Sequence, residues 1–140
     1  LPGNKRIGKI PAEGILMKKH SILYVRKFEF PRENFIKTFA DSPFFEVINV
    51  AESVEQALEL IKTQKPSIIV TGVFFKDGTV KDIIKGIETT LNFRPHIIIT
   101  TVLPYSDVYD YHRYADHIFC EVNFNEEVLA TYFEKILAAV

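Results

Sequence analysis

Arg26 and Lys27 end the apolar run Ser21–Val25, and Gly72 follows Ile68–Thr71. Thr100 falls near the end of His96–Thr101, and Glu121 follows His117–Cys120. Cations, a hydroxyl, an acid and one position without a side chain thus recur where short apolar runs stop. Arg26 and Lys27 could bind an anion, or Glu121 could pair with one of them, because unpaired charges that close are costly when part-buried. The competing reading turns these long side chains outward into water. His112, His117 and Cys120 carry metal-ligating atoms. On a strand, however, His117 and Cys120 point to opposite faces, so no metal site is expected. Cys120 reads as a buried core thiol with no base placed beside it.

Two aromatic groups surround these positions. Phe28, Phe30, Phe74 and Phe75 flank the runs that end at Val25 and Thr71. They either fill or lid a site there, present an apolar patch to a partner, or close the core. Tyr105, Tyr109, Tyr111 and Tyr114 crowd a segment with weak amphipathic character. They form either a docking face, where tyrosine is enriched, or a half-buried layer against the sheet.

Elements that could position these residues are legible from the spacing. Ile68, Ile69 and Val70 in a row read as a strand buried on both faces, as in a parallel sheet. Strands are expected at Ser21–Val25, Phe45–Val50, Pro66–Thr71, His96–Thr101 and His117–Cys120. The first helix is expected from about Pro31 to Ala40, with Phe35, Ile36 and Phe39 on one face. Ser53-Val-Glu-Gln56 matches a capping box, and Val54, Ala57, Leu58 and Ile61 then follow helical spacing. Thr79 can cap a helix carrying Val80, Ile83, Ile84 and Ile87. A short helix is expected over Ser106–Tyr114. A last one follows Asn125, with Phe124 and Leu129 as a hydrophobic staple and Tyr132, Phe133 and Ile136 along its stripe.

Five strands alternating with five helices give an α/β three-layer sandwich. Right-handed crossovers favour the flavodoxin-like order 2-1-3-4-5 for a five-stranded parallel sheet. That order brings Arg26-Lys27 and Gly72 together at the carboxyl edge, where open α/β sheets place their chemistry.

Composition limits the functions further. The chain has 140 residues, 47% hydrophobic and 25% charged, which suits one ordinary domain. A net charge of -1 argues against nucleic-acid binding. A single cysteine rules out an internal disulfide and fits a cytoplasmic location. No apolar run approaches the roughly 18 residues of a membrane span. Residues 1–16 read as an extension, either native upstream sequence or vector-derived, and residues 17–140 as the domain. A glycine- or threonine-rich phosphate loop after the first strand would point to a nucleotide or flavin binder. The loop present, Arg26-Lys-Phe-Glu-Phe-Pro31, has no glycine and no hydroxyl.

Over about residues 20–138 the chain resembles the receiver domain of bacterial response regulators, the CheY-like family. The resemblance is carried by Ile22-Leu-Tyr-Val25, by Ala51-Glu-Ser-Val-Glu-Gln-Ala-Leu58 and by Lys65-Pro-Ser-Ile-Ile-Val-Thr-Gly72. Asp77-Gly78, Pro95-His-Ile-Ile-Ile-Thr100 and Ala115-Asp116 continue it in order. The family places an acidic pair after the first strand to hold Mg²⁺, a phosphoacceptor Asp after the third, a Ser or Thr after the fourth and a Lys after the fifth. Matched residue by residue, Arg26 and Lys27 replace the acidic pair, and Gly72 stands at the phosphoacceptor. Thr100 keeps the hydroxyl, and Glu121 stands at the lysine. Mg²⁺ takes oxygen ligands, mainly carboxylates, and an acid at the lysine position would repel a phosphoryl group.

The resemblance therefore implies a pseudo-receiver: a non-enzymatic signalling module with a degenerate pocket of Arg26, Lys27, Thr100 and Glu121 and no cofactor. Its implied partner is a protein, either another signalling protein or its own output domain. A homodimer would use the face of the fourth helix, fifth strand and fifth helix. Phe74, Phe75, Tyr105, Tyr109, Tyr111 and Tyr114 are the candidate interaction surface. The alternatives are a phosphorylatable receiver with an atypical acceptor and a small flavodoxin-like ligand-binding domain.

Overall fold

A computed structural model describes residues 19–26, 36–37, 39–90, 92, 94–120 and 126–139. The strands are β1 (His20–Val25), β2 (Phe45–Ala51), β3 (Ile68–Thr71), β4 (Phe74–Phe75), β5 (Gly78–Thr79), β6 (His96–Thr101) and β7 (His117–Cys120). The α-helices are α1 (Val54–Gln64), α2 (Val80–Thr90), α3 (Tyr105–Val108) and α4 (Glu126–Ala139). A 3₁₀ turn over Tyr109–Arg113 continues α3.

The main sheet has the order β2-β1-β3-β6-β7 and is parallel throughout. This is the expected 2-1-3-4-5 order once the small β4–β5 hairpin, which forms its own sheet, is set aside. The hairpin was not expected. It inserts between β3 and α2 and turns at Lys76-Asp77, with Gly78 at a φ of +152° that L side chains rarely adopt. One helix fewer than expected is complete among the described residues. The helix expected from about Pro31 to Ala40 falls largely outside them, and only Ile36 and Lys37 are seen helical.

Both faces of the sheet are covered, because each central strand alternates between two cores. Leu23, Val25, Ile69, Ile97 and Ile99 face α1 and α2 with Ala57, Ile61, Ile83 and Ile87. Ile22, Tyr24, Ile68, Val70 and Ile98 face the other way, against Phe39, Phe45 and Phe133. Burying each of these branched or aromatic side chains contributes roughly 1.5–3 kcal/mol. The three-layer sandwich follows from that alternation.

The helix starts are fixed by capping. Ser53 Oγ accepts from the Gln56 N–H at 3.1 Å, as the sequence predicts. The Gln56 side chain instead accepts from Glu52 N–H, one residue earlier than a capping box requires. Thr79 caps α2: its Oγ1 accepts from Lys81 N–H, and Asp82 Oδ2 returns a bond to Thr79 N–H at 2.9 Å. The expected cap at Asn125 and staple residue Phe124 lie outside the described residues.

Candidate functional site

The site is built from three adjacent strand ends. Val25 of β1 pairs with Thr71 of β3, and Thr71 pairs with Ile99 of β6. The next residues, Arg26, Gly72 and Thr100, therefore stand side by side at the carboxyl edge. Backbone bonds hold them there: Gly72 N–H donates to Val25 O at 3.0 Å, and Arg26 N–H donates to Ala51 O at 2.9 Å.

Arg26 Nη1 donates to Thr100 Oγ1 at 3.2 Å. Since β3 lies between β1 and β6, the guanidinium crosses the end of β3 to make that bond. Among the described residues, a Cβ placed on Gly72 would meet no atom within 4 Å. Gly72 does not have the left-handed φ that demands glycine. Neither backbone strain nor crowding by the described residues requires the missing side chain at 72. Two buried hydroxyls wall the edge. Thr71, 0% exposed, donates to Gly72 O at 2.9 Å. Thr100, 2% exposed, accepts from Arg26.

Lys27 and Glu121 lie outside the described residues, as do Phe28 and Phe30, and the expected ion pair to Glu121 lies outside them too. Phe74 and Phe75 do not lid the edge. Phe75 sits in the core against α1 and α2, at 7% exposure, and Phe74 points to solvent at 54%. The pleat of the β4–β5 hairpin explains the split, since neighbouring strand residues face opposite ways. Phe75 is therefore not a surface residue, contrary to expectation.

The described residues of this edge do not fit Mg²⁺. A guanidinium reaches into the edge, Gly72 brings no oxygen, and no group of three His, Cys, Asp or Glu side chains gathers anywhere among the described residues.

The tyrosine cluster divides into two layers. Tyr105 and Tyr109 are exposed and meet edge to face at 5.6 Å. His112 joins them, hydrogen-bonded to the Tyr105 hydroxyl. Tyr111 and Tyr114 are half-buried against the core, with Lys81 Nζ 5.4 Å from the Tyr111 ring centre. Val108 is the one fully buried residue of α3 and the 3₁₀ turn. That accounts for the weak helical pattern and the change to 3₁₀ geometry after one turn.

Cys120 packs beside Ile118 on the α1–α2 face, whereas His117 stacks on Tyr132 across the sheet at 4.7 Å. The expected opposition of these two side chains is present. Burial pushes the Cys120 thiol up from its ordinary value, which suits an inert thiol.

Two groups escaped the sequence reading. Asp77, at the hairpin turn, accepts from the N–H groups of Val54 at 2.8 Å and Glu55 at 3.0 Å. It caps α1 from a distant part of the chain, and those two backbone bonds hold its carboxyl below the ordinary range. At the opposite, amino edge of the sheet, Asp116 joins β6 to β7. Its Oδ2 accepts from Ile97 N–H at 2.8 Å and from Arg94 Nη1 at 2.9 Å. His96 Nδ1 lies 3.7 Å from the same oxygen, and His96 Nε2 lies 2.9 Å from the Tyr132 hydroxyl. Burial lowers the His96 pKa against the pull of Asp116. The sequence signal was faint: an Arg before Pro95 and an Asp before His117, each just ahead of a strand.

No protein-family model matches the sequence, and no curated protein matches it. Solved structures do match in fold. The response regulator domain of Thermotoga maritima CheB superposes with a TM-score of 0.71 at 16% identity, over 88% of this chain and 98% of that one. A two-component response regulator from Clostridium difficile gives 0.72 at 16% identity, over 85% and 96%. The REC domain of AraT, a response regulator from Geobacillus stearothermophilus, gives 0.71 at 17% identity, over 85% and 93%. The strand order, the covered sheet and these superpositions agree that the chain has the CheY-like fold of response-regulator receiver domains.

Proposed function

We propose that the chain is a pseudo-receiver of a two-component-type regulator: a non-catalytic signalling module that works by phosphorylation-independent protein–protein interaction. One observation carries this reading. Where the resemblance places metal-holding acids and a phosphoacceptor, Arg26 bonds Thr100 across a glycine that no other described residue crowds. A phosphoryl transfer there would lack both its nucleophile and the carboxylates that hold the metal that neutralises the incoming charge.

Function then moves to the surface. The exposed pair Tyr105 and Tyr109, and the separate exposed Phe74, are large apolar groups of the kind that anchor partners. The partner is a signalling protein or the chain's own output domain. Pairing of two copies through α3, β7 and α4 is the other arrangement these surfaces suit. No helix among the described residues is long and apolar enough to cross a membrane, in keeping with a cytoplasmic module.

Incubation with acetyl phosphate and Mg²⁺, followed by intact mass spectrometry, tests the reading. The expected result is an unchanged mass; a phosphoryl adduct would overturn it. Beryllofluoride with Mg²⁺ should likewise leave the amide spectrum of residues 72 and 100 unchanged.

A further inference from the structure

Two neighbouring aromatic residues seat α4 on the sheet, and they do so in different ways. Phe133 is fully buried and stacks on Phe45 at 4.6 Å, a contact between rings that cannot ionise. Tyr132 is held by two histidines from adjacent strands. His117 of β7 stacks on its ring, with centres 4.7 Å apart and planes at 26°. His96 of β6 reaches its hydroxyl through Nε2 at 2.9 Å. Phe119 meets the same ring edge-on at 5.5 Å. The helix thus has one anchor that is indifferent to pH and, beside it, one that is built on titratable groups.

The surroundings of both histidines oppose an added proton. Burial disfavours charge on His96; Asp116 favours it and Arg94 opposes it. That carboxylate is already shared between the Ile97 N–H and the Arg94 guanidinium. Burial also disfavours charge on His117, and His112 of the 3₁₀ turn and His96 add to the effect. The face of the Tyr132 ring attracts a cation, but burial and the neighbouring histidines outweigh it. Protonation also changes the hydrogen bond. A neutral His96 can accept the Tyr132 proton at Nε2, whereas a charged one must donate there, and the half-buried phenol then loses that acceptor.

We propose that Tyr132 is a proton-operated latch: with His96 and His117 neutral it seats α4 on β6 and β7, and when they take up protons its part of the helix lifts while Phe133 keeps the helix attached. The surface formed by β7 and α4 then changes shape in mild acid, and a partner bound there is released or admitted with pH. The latch lies at the amino edge and rests on the fold alone, so it is independent of what happens at the carboxyl edge.

Amide hydrogen exchange of the full chain at pH 7.5 and 5.5, corrected for intrinsic rates and repeated at low urea concentrations, tests the latch. The opening that exposes residues 130–134 should grow about tenfold between the two pH values, as proton uptake by two imidazoles allows. At pH 5.5 it should be more populated, and less sensitive to urea, than the opening that exposes α1. Coincident openings of the two helices at that pH, with equal urea dependence, would mean that α4 leaves only with the whole fold and would overturn the proposal. The imidazole C–H signals of both histidines should titrate below 6.5 in the folded protein; midpoints at or above that value would also overturn it. His96→Gln with His117→Gln should flatten the pH dependence of the α4 opening. An unchanged dependence in that variant, once folded, would count equally against the latch.

Discussion

Arg26 Nη1 stands 3.2 Å from Thr100 Oγ1, across the end of the strand that separates them. The bond ties β1 to β6 past Gly72, a position where no described residue would crowd a side chain. Gly72→Asp should therefore fold. Losing glycine's freedom in the unfolded chain is worth about 0.4–1 kcal/mol, and the new carboxylate can pair with Arg26. Urea unfolding should show a stability equal to or above that of the wild type. Restoring the acid should nevertheless not restore phosphorylation by acetyl phosphate, because Arg26 still stands where carboxylates would hold the metal. An adduct on the variant would mean that the vacated aspartate was the only defect.

Asp77 links the hairpin to the start of α1 through the N–H groups of Val54 and Glu55. Its folded pKa is depressed, so its contribution is present above the unfolded carboxylate value and is lost as pH falls through the folded one. Asp77→Ala should lower the thermal midpoint at pH 7. The gap from the wild type should close on acidification below about pH 4, where the carboxylate protonates in both states. Thermal melts of the two proteins across that range measure it. A gap that persists unchanged into acid would assign the effect to the turn and not to the carboxylate.

These relationships differ in how far the sequence displays them. Strand order and the two-faced core are written in local patterns: Ile68-Ile69-Val70, the spacing of Val80, Ile83, Ile84 and Ile87, and Thr79 with Asp82 three residues on. The edge residues Arg26, Gly72 and Thr100 could be placed because each directly follows a strand or stands one residue before its end. The burial of Phe75 could not, since it depends on a two-residue hairpin that no period announces. Asp77 and Asp116 act on partners far away in sequence, and a single carboxylate carries no pattern until the fold brings donors to it.

The group around His96 gives the fold a pH dependence. Asp116, Arg94, Tyr132 and His117 surround its ring. Burial lowers the pKa of His96 and of His117 below 6.5, so the unfolded chain takes up protons first as pH falls. Stability should therefore decline from pH 7.5 toward pH 5. Asp116 does not reverse the sign. Burial raises its pKa, but the Ile97 N–H and Arg94 outweigh that, and a depressed carboxyl also loses stability in acid. Chemical denaturation at several pH values should show a shallower decline in His96→Gln, with the remainder carried by His117. An identical slope would remove His96 from the account.

Lys65 ends α1 with φ +46° and ψ 62°, the left-handed conformation usually reserved for glycine. Its N–H closes the helix on Ile61 O at 2.9 Å, and Pro66 follows, so the turn cannot relax into another helical residue. Lys65→Gly should raise stability by about 0.5–1 kcal/mol, read as a shift in the denaturation midpoint without a change in slope. A lower midpoint would mean that the lysine side chain supplies more than its backbone costs.

Val108 is the only residue of α3 and the following 3₁₀ turn that is fully buried. With the half-buried Tyr111, it pins from within the short segment that presents Tyr105, Tyr109 and His112. Val108→Ala removes two methyl groups from a packed core and should cost about 1–3 kcal/mol. The more telling effect should be local. With the anchor shortened, the Tyr105–Tyr109 and Tyr105–His112 ring contacts should loosen, seen as loss of near-ultraviolet dichroism while the far-ultraviolet spectrum is kept. Tyr105→Ala with Tyr109→Ala should leave stability within about 0.5 kcal/mol, because exposed side chains contribute little to the fold. A large loss from the double variant would make the exposed aromatic layer a structural element instead of a surface kept for a partner.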